Sequence, residues 1–336
     1  MPAHRRRRLR LKRTVLAAAV TGAALIAGAG PALACAGLVT AGGNIKLVRT
    51  ATLAAWHDGY EHYVTAFTFE GGGAEVGSLV PLPAVPDKVE RGGDWTLQRL
   101  ERETQPRTTA RRGSFDEAAP GATSGDAEVV YETRIDALDI TILKGGSRAV
   151  ADWAEEHGYA LSPDAPETLE YYARQSPVFM AARFDAAAAR QRGQQVGEGT
   201  PIHLTIPLDN PWVPLRILAL GRQASESIQA DVYLLTPHRP HLDPAPGDGL
   251  ALAYDDRASD QLLDDLRSDK GMEWMPERAW LTYLRVGEEA GDLRYDLDVD
   301  VRPSGSLWRV ASDAAAFGIL GAAALLVVRR RYHIGG

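Results

Sequence analysis

PVFMAARFDA (Pro177–Ala186), TPIHLTIPL (Thr200–Leu208), WVPLRILAL (Trp212–Leu220) and IQADVYLLTP (Ile228–Pro237) follow one another through the centre of the chain. Each is an apolar run of strand length closed off by turn residues, and together they predict an antiparallel meander. The same signal extends outward. HYVTAFTFEG (His62–Gly71) and RAWLTYLRVG (Arg278–Gly287) read as strands, as does DLRYDLDVDVRP (Asp292–Pro303), while residues 128–146 supply one or two more. Helical patterns are short: Asp94–Thr104 with Asp94 as N-cap, Ser147–Tyr159 opened by Ser147 and closed by Gly158, PETLEYYARQ (Pro166–Gln175), and about Asp260–Lys270. Past Val80, the prolines at 81, 83 and 86 predict an extended edge or polyproline segment rather than a central strand. Residues 105–127, polar and rich in Gly, Pro, Ser and Thr, read as a surface loop. Strands broken by a few helices, with no strand–helix–strand alternation, give an α+β domain with a largely antiparallel sheet.

The chain has 336 residues with a formal charge of -7, and its charge is unevenly spread. Seven of the 37 Lys and Arg lie in the first 13 residues and three more at Arg329, Arg330 and Arg331, whereas none of the 44 Asp and Glu falls within 1–34 or after Arg331. The middle therefore carries a net charge of -17. Such a surface repels phosphate backbones, so nucleic acid is not an expected partner. Cys35 is the only cysteine, and on that count an intrachain disulfide, Cys-based zinc sites and thiol catalysis are not expected.

The two ends place the chain at a membrane. Residues 1–34 have a basic start, an apolar stretch from Val15 to about Ile26 and small residues at Ala32 and Ala34, the layout of a secretory signal peptide. Arg7-Arg8 is a partial twin-arginine match without the usual aromatic, so Sec export is expected. Cleavage after Ala34 makes Cys35 the first mature residue and a candidate for lipidation; cleavage after Ala36 removes it. At the other end, residues 310–328 are apolar apart from Ser312 and Asp313, and Arg329–Arg331 follow at once. Nineteen residues at ~1.5 Å each approach the ~30 Å hydrocarbon core, and the arginines fix the orientation. The expected organisation is signal peptide 1–34, extracytoplasmic domain 35–309, membrane helix 310–328 and cytoplasmic tail 329–336, a single-pass protein of the plasma membrane.

CAGLVTAGG, the Pro81-Leu82-Pro83 box in GSLVPLPAVP, Trp153 with Gly158-Tyr159, and Pro214-Leu215-Arg216 in TPIHLTIPLDNPWVPLRI together resemble the bacterial family called domain of unknown function 2330. The resemblance covers most of the ectodomain. It brings no activity, ligand, cofactor or catalytic residue with it.

Several groupings offer chemistry. His238, His241 and Asp243 are of metal-ligating type but lie in a Pro-rich stretch, so a solvated loop is the stronger reading. In RYDLDVDVR, Asp296, Asp298 and Asp300 alternate with apolar residues and read as a solvated strand face. His57, Asp58, Glu61 and His62 cluster near an Asp-Gly turn with no nucleophile beside them. Trp212, Trp274 and Trp280 are candidates to line a carbohydrate or peptide groove, with core or rim packing as the plainer use. Nucleotide, metalloprotease and serine-hydrolase motifs are missing, and no cofactor is expected. The expected role is a membrane-anchored binding or accessory module of the cell envelope, with other envelope proteins or an extracellular ligand as partners. The alternative is an extracytoplasmic hydrolase or metal-dependent enzyme.

Overall fold

A computed structural model describes residues 37–40, 46–47, 50–66, 69–70, 76–105, 129–193 and 199–302. In chain order the strands are β1 (Gly37–Thr40), β2 (Lys46–Leu47), β3 (Thr50–His57), β4 (Tyr60–Ala66), β5 (Phe69–Glu70), β6 (Val76–Leu82), β7 (Lys88–Arg91), β8 (Val129–Ile135), β9 (Leu138–Lys144), β10 (Val178–Phe184), β11 (Ile202–Pro207), β12 (Trp212–Val213), β13 (Ser227–Thr236), β14 (His241–Asp243), β15 (Leu250–Arg257), β16 (Trp280–Glu289) and β17 (Leu297–Asp300). The helices are α1 (Thr96–Thr104), α2 (Gly146–Glu156), α3 (Ala165–Ala173), α4 (Ala186–Gln191) and α5 (Asp260–Ser268), with a 3-10 turn at Arg216–Ala219.

Two large sheets face each other. One runs β1-β6-β10-β9-β8; the other runs β15-β16-β13-β3-β4-β11-β7. Val80, Leu82, Ile140, Ile142 and Met180 of the first meet Tyr63, Leu204, Val232, Leu234 and Leu284 of the second in one core. The outer face of the five-stranded sheet is covered by α2, α3 and the 3-10 turn through Val150, Trp153, Leu169, Tyr172, Ile217 and Leu220. The outer face of the seven-stranded sheet is covered by α1 and α5 through Leu97, Leu100, Leu262, Leu263 and Leu266. Both sheets are thus buried on two sides. That explains why central strands such as β6 are buried at every position instead of alternating.

The α+β expectation holds, mostly antiparallel with short helices, but the meander does not. β10, β11, β12 and β13 fall into three different sheets, and β13 pairs in parallel with β3 while pairing antiparallel with β16. WVPLRILAL is not one strand: after Val213 the chain turns into the 3-10 segment. Nor does the PVFMAARFDA strand reach its end. It stops at Phe184, because Asp185 accepts from the backbone of Ala187 and Ala188 and caps α4. An extended edge or polyproline segment was expected past Val80; Pro81 still lies within β6, opposite Phe179 of β10. Among the described residues β1 covers β6 only from Val76 to Leu79, so at Pro81 one side of the strand is open, which is where proline is tolerated.

The Asp58-Gly59 turn is as expected. Both residues have positive φ, 51° and 85°, the requirement of the type I′ hairpin that joins β3 to β4. Helix α2 begins at Gly146, one residue before the expected Ser147 cap, and Gly158 follows its end with φ of 69°. Helix α1 is not capped by Asp94. Asp269, just past α5, accepts from the backbone of Asp94 (3.1 Å) and Trp95 (3.0 Å) and from the Thr96 hydroxyl (2.8 Å). One carboxylate thereby satisfies the open N-terminus of α1 and ties it to α5. A Cβ on Gly93 would lie 2.3 Å from Asp269 Oδ2, so this approach needs glycine there.

Candidate functional site: a cleft beside the small sheet

A third, small sheet has the order β12-β17-β14. It packs against the central core through Val213, Leu242, Leu297 and Val299. Beside it opens a cleft of about 330 Å³. Pro81, Leu82 and Pro83 form one wall; Tyr172, Gln175 and Ser176, at and after the end of α3, form a second. Leu208, Asn210, Pro211 and Trp212 lead into β12, and Asp298, Val299 and Asp300 come from β17. An apolar, aromatic lining with a few polar groups is the usual make-up of a ligand pocket.

The strand register places the polar groups. Trp212 is opposite Asp298, and Asp298 is opposite Asp243, so the three stand in a row on one face. Asp300 pairs across with His241 and is gripped by Arg302 through two 2.8 Å contacts. Neither the Asp298 nor the Asp243 side chain has a hydrogen-bond or ion-pair partner among the described residues. Burial, and then the Asp243 charge, raise the Asp298 carboxyl above its ordinary range. Ser176 is only 8% exposed, and its hydroxyl has no partner among the described residues. Asn210 accepts from the Val301 backbone at 3.2 Å and leaves its amide nitrogen unpaired among them.

Two buried carboxyls hold the walls from behind. Glu61, 0% exposed, accepts from the Trp212 backbone N–H at 3.0 Å, and burial pushes it up to about 8. Asp296 Oδ1 accepts from the Tyr172 hydroxyl at 2.7 Å and from the Arg216 backbone at 3.0 Å. Burial raises Asp296 to about 6, against the pull of those hydrogen bonds. This corrects the solvated-row reading: Asp296 is 7% exposed, precedes β17 and turns inward, and the alternation begins only at Leu297. Tyr172 meets the Trp212 ring edge-on at 6.0 Å, and Arg216 lies 4.2 Å over Tyr171.

The acid–base grouping does not converge. His57, half-buried at the end of β3, and Asp58, exposed in the turn, lie 3.4 Å apart. Glu61 and His62, adjacent on β4, project to opposite faces of the sheet. His62 Nδ1 lies 3.0 Å from Nε2 of His203 on β11, and Trp274 stacks flat on His62 at 3.7 Å. His62 and His203 are 8% and 2% exposed. Burial, with His203, His57 and Lys88 adding, lowers His62 to about 3, and burial with Lys88 lowers His203 to about 4. Both rings are neutral packing elements at physiological pH.

Of the tryptophans, Trp212 lines the cleft, Trp274 covers the histidines, and Trp280 donates to Asp255 at 2.5 Å on the far edge of the seven-stranded sheet. His241 and Asp243 lie on the exposed side of β14, while the His238 carbonyl accepts from Thr236. Among the described residues no three His, Cys, Asp or Glu are placed to hold a metal ion. No helix among them is long and apolar enough to cross a membrane. Residues 1–34, Cys35, most of 105–127, 310–328 and Arg329–Arg331 lie outside them. Sequence reasoning missed Gln175, Ser176, Asn210 and the anchoring roles of Glu61 and Asp296. The proline box, Trp212 and the Asp298/Asp300 alternation were its pointers to this end of the fold.

No curated protein matches the chain. Among solved structures, baculovirus P35 is similar at 9% identity with a TM-score of 0.41, covering 77% of this chain and 98% of that one. A mutated baculovirus P35 after caspase cleavage follows at 8% identity and 0.38, covering 75% and 99%. A family model, DUF2330, described as an uncharacterized protein conserved in bacteria, matches residues 29–260, more than half of the chain, and the chain belongs to that family.

Proposed function

We propose that this is a membrane-anchored binding module of the bacterial envelope, and that its ligand or partner occupies the cleft beside the small sheet. The observation that carries the reading is the cleft itself, about 330 Å³ of proline and aromatic wall into which unpaired polar groups face. Its walls are fixed from behind by Glu61 and Asp296, so the site is shaped in advance, which lowers the ordering cost of binding. The anchor is argued from sequence: an export signal over 1–34 and an apolar 310–328 closed by Arg329, Arg330 and Arg331. This topology puts the cleft outside the cytoplasm.

The test uses the intact chain in its own membranes. A chain ending at Arg309 is released in soluble form, while the full chain resists high-salt and carbonate washing. Material captured with the full chain is lost when exposed Gln175, on the cleft rim, becomes Trp and fills the opening. Membrane retention of the truncated chain would move the anchor to Cys35. Unchanged capture by the Gln175→Trp chain would remove the cleft as the binding site.

A further inference from the structure

We infer that the cleft recognises a primary ammonium group, and that its natural source is a lysyl side chain of an extracytoplasmic peptide. The inference rests on the cleft being the binding site and names what it binds.

Two carboxylates face each other across β17 and β14, Asp298 and Asp243, with no cation between them among the described residues. Like charges directly opposite in a sheet destabilise it, so such a pair calls for a counter-charge. The neighbouring Asp300 already has one in Arg302, which shows the contrast within a single strand. On the other side of Asp298 stands Trp212, whose ring lines the cleft. A cation placed against Asp298 therefore meets an aromatic surface as well as a carboxylate pair. A compact ammonium has three donors; Asp298 supplies acceptors in the cleft lining, Asp243 stands beside it across the strand pair and outside that lining, and the unpartnered hydroxyl of Ser176, 8% exposed, supplies another in the same lining. The rest of the lining, Pro81, Pro83, Pro211 and Leu208, suits a tetramethylene stem and an extended backbone, not a hydrated metal ion.

The full chain in detergent is titrated calorimetrically with three probes: acetyl-Ala-Lys-Ala-amide, the same peptide with norleucine for lysine, and cadaverine. The lysine peptide is expected to bind at least ~10-fold more tightly than the norleucine peptide, and less tightly as salt is raised. Asp298→Asn, at an exposed position, should abolish that preference and, by removing one of two facing like charges, should hold or raise the melting temperature. Asp243→Asn should weaken it in the same direction. Cadaverine binding as tightly as the peptide would keep the ammonium chemistry and make a free diamine the source. Equal binding of the norleucine peptide, indifference to Asp298→Asn, or no binding of either amine overturns the inference. Capture that still depends on Gln175 would then leave the cleft reading standing with a different ligand.

Discussion

Two aromatic–polar clusters sit on opposite faces of β4, one residue apart in sequence. Glu61 points inward and holds Trp212 at the wall of an open cleft. His62 points outward and is closed under Trp274 against His203. Both carry strongly displaced titrations, Glu61 up to about 8 and His62 down to about 3. Only one of them adjoins a space that a ligand can enter. A displaced pKa records burial wherever it occurs, and becomes a pointer to function only where a cavity stands beside it. The histidine cluster is a stability element, and the cleft, with its buried supports, is the binding element we propose.

That contrast can be broken experimentally, and the largest effect should come from the closed side. Trp274→Ala removes the ring stacked on His62 and should cost about 3 kcal/mol, read as a lower denaturant midpoint. It should leave lysine-peptide binding unchanged in the folded fraction. It should also soften the acid limb. The unfolded histidines titrate near 6.5 and the folded ones near 3 to 4, so stability falls as pH drops from about 6.5, and exposing His62 narrows that gap.

The next effect belongs to Glu61. Its folded carboxyl keeps its proton up to about 8, while the unfolded one releases it near 4.5. Stability is therefore fully present below 4.5 and is lost as pH rises through 8. Glu61→Gln should flatten this decline by about 2 kcal/mol, since relaxation around a buried carboxyl returns part of the ~1.4 kcal/mol per pK unit. Asp296 adds the same sign between 3.8 and about 6. A chain whose stability instead climbs steadily from pH 5 to 8 would show Glu61 ionised and solvated in the folded state.

A smaller effect is expected at Tyr172→Phe. Losing the 2.7 Å bond to Asp296 costs about 1–2 kcal/mol and loosens the wall facing Trp212. Peptide binding should weaken severalfold while the histidine acid limb stays as it is. A shift in that limb would mean that the two clusters are coupled across the sheet.

Much of this fold was legible in the chain because its signals are local. Strand-length apolar runs, the Asp58-Gly59 turn and the glycine that closes α2 each carry their own cause within a few residues. What failed depended on distant partners. Asp296 fits a solvated alternation until Tyr172, 124 positions away, and the Arg216 backbone are seen to hold it. Asp94 has the right type and place to cap α1, but Asp269, 175 residues later, supplies the carboxylate. The parallel β3–β13 pair joins segments about 180 residues apart, and no pattern within either strand announces it. The candidate site was nearly illegible for the same reason. Its walls come from four segments, and only the proline box, Trp212 and the Asp298/Asp300 alternation stood out before they met.

The most direct test is a photocrosslinking amino acid placed at Gln175 on the cleft rim and, separately, at Gln261 on the exposed side of α5, in the intact chain in its native membrane. The expected result is a discrete adduct from position 175 that acetyl-Ala-Lys-Ala-amide competes away, with none from position 261. Adducts at both positions, or at 261 alone, would contradict the assignment of the cleft as the binding site.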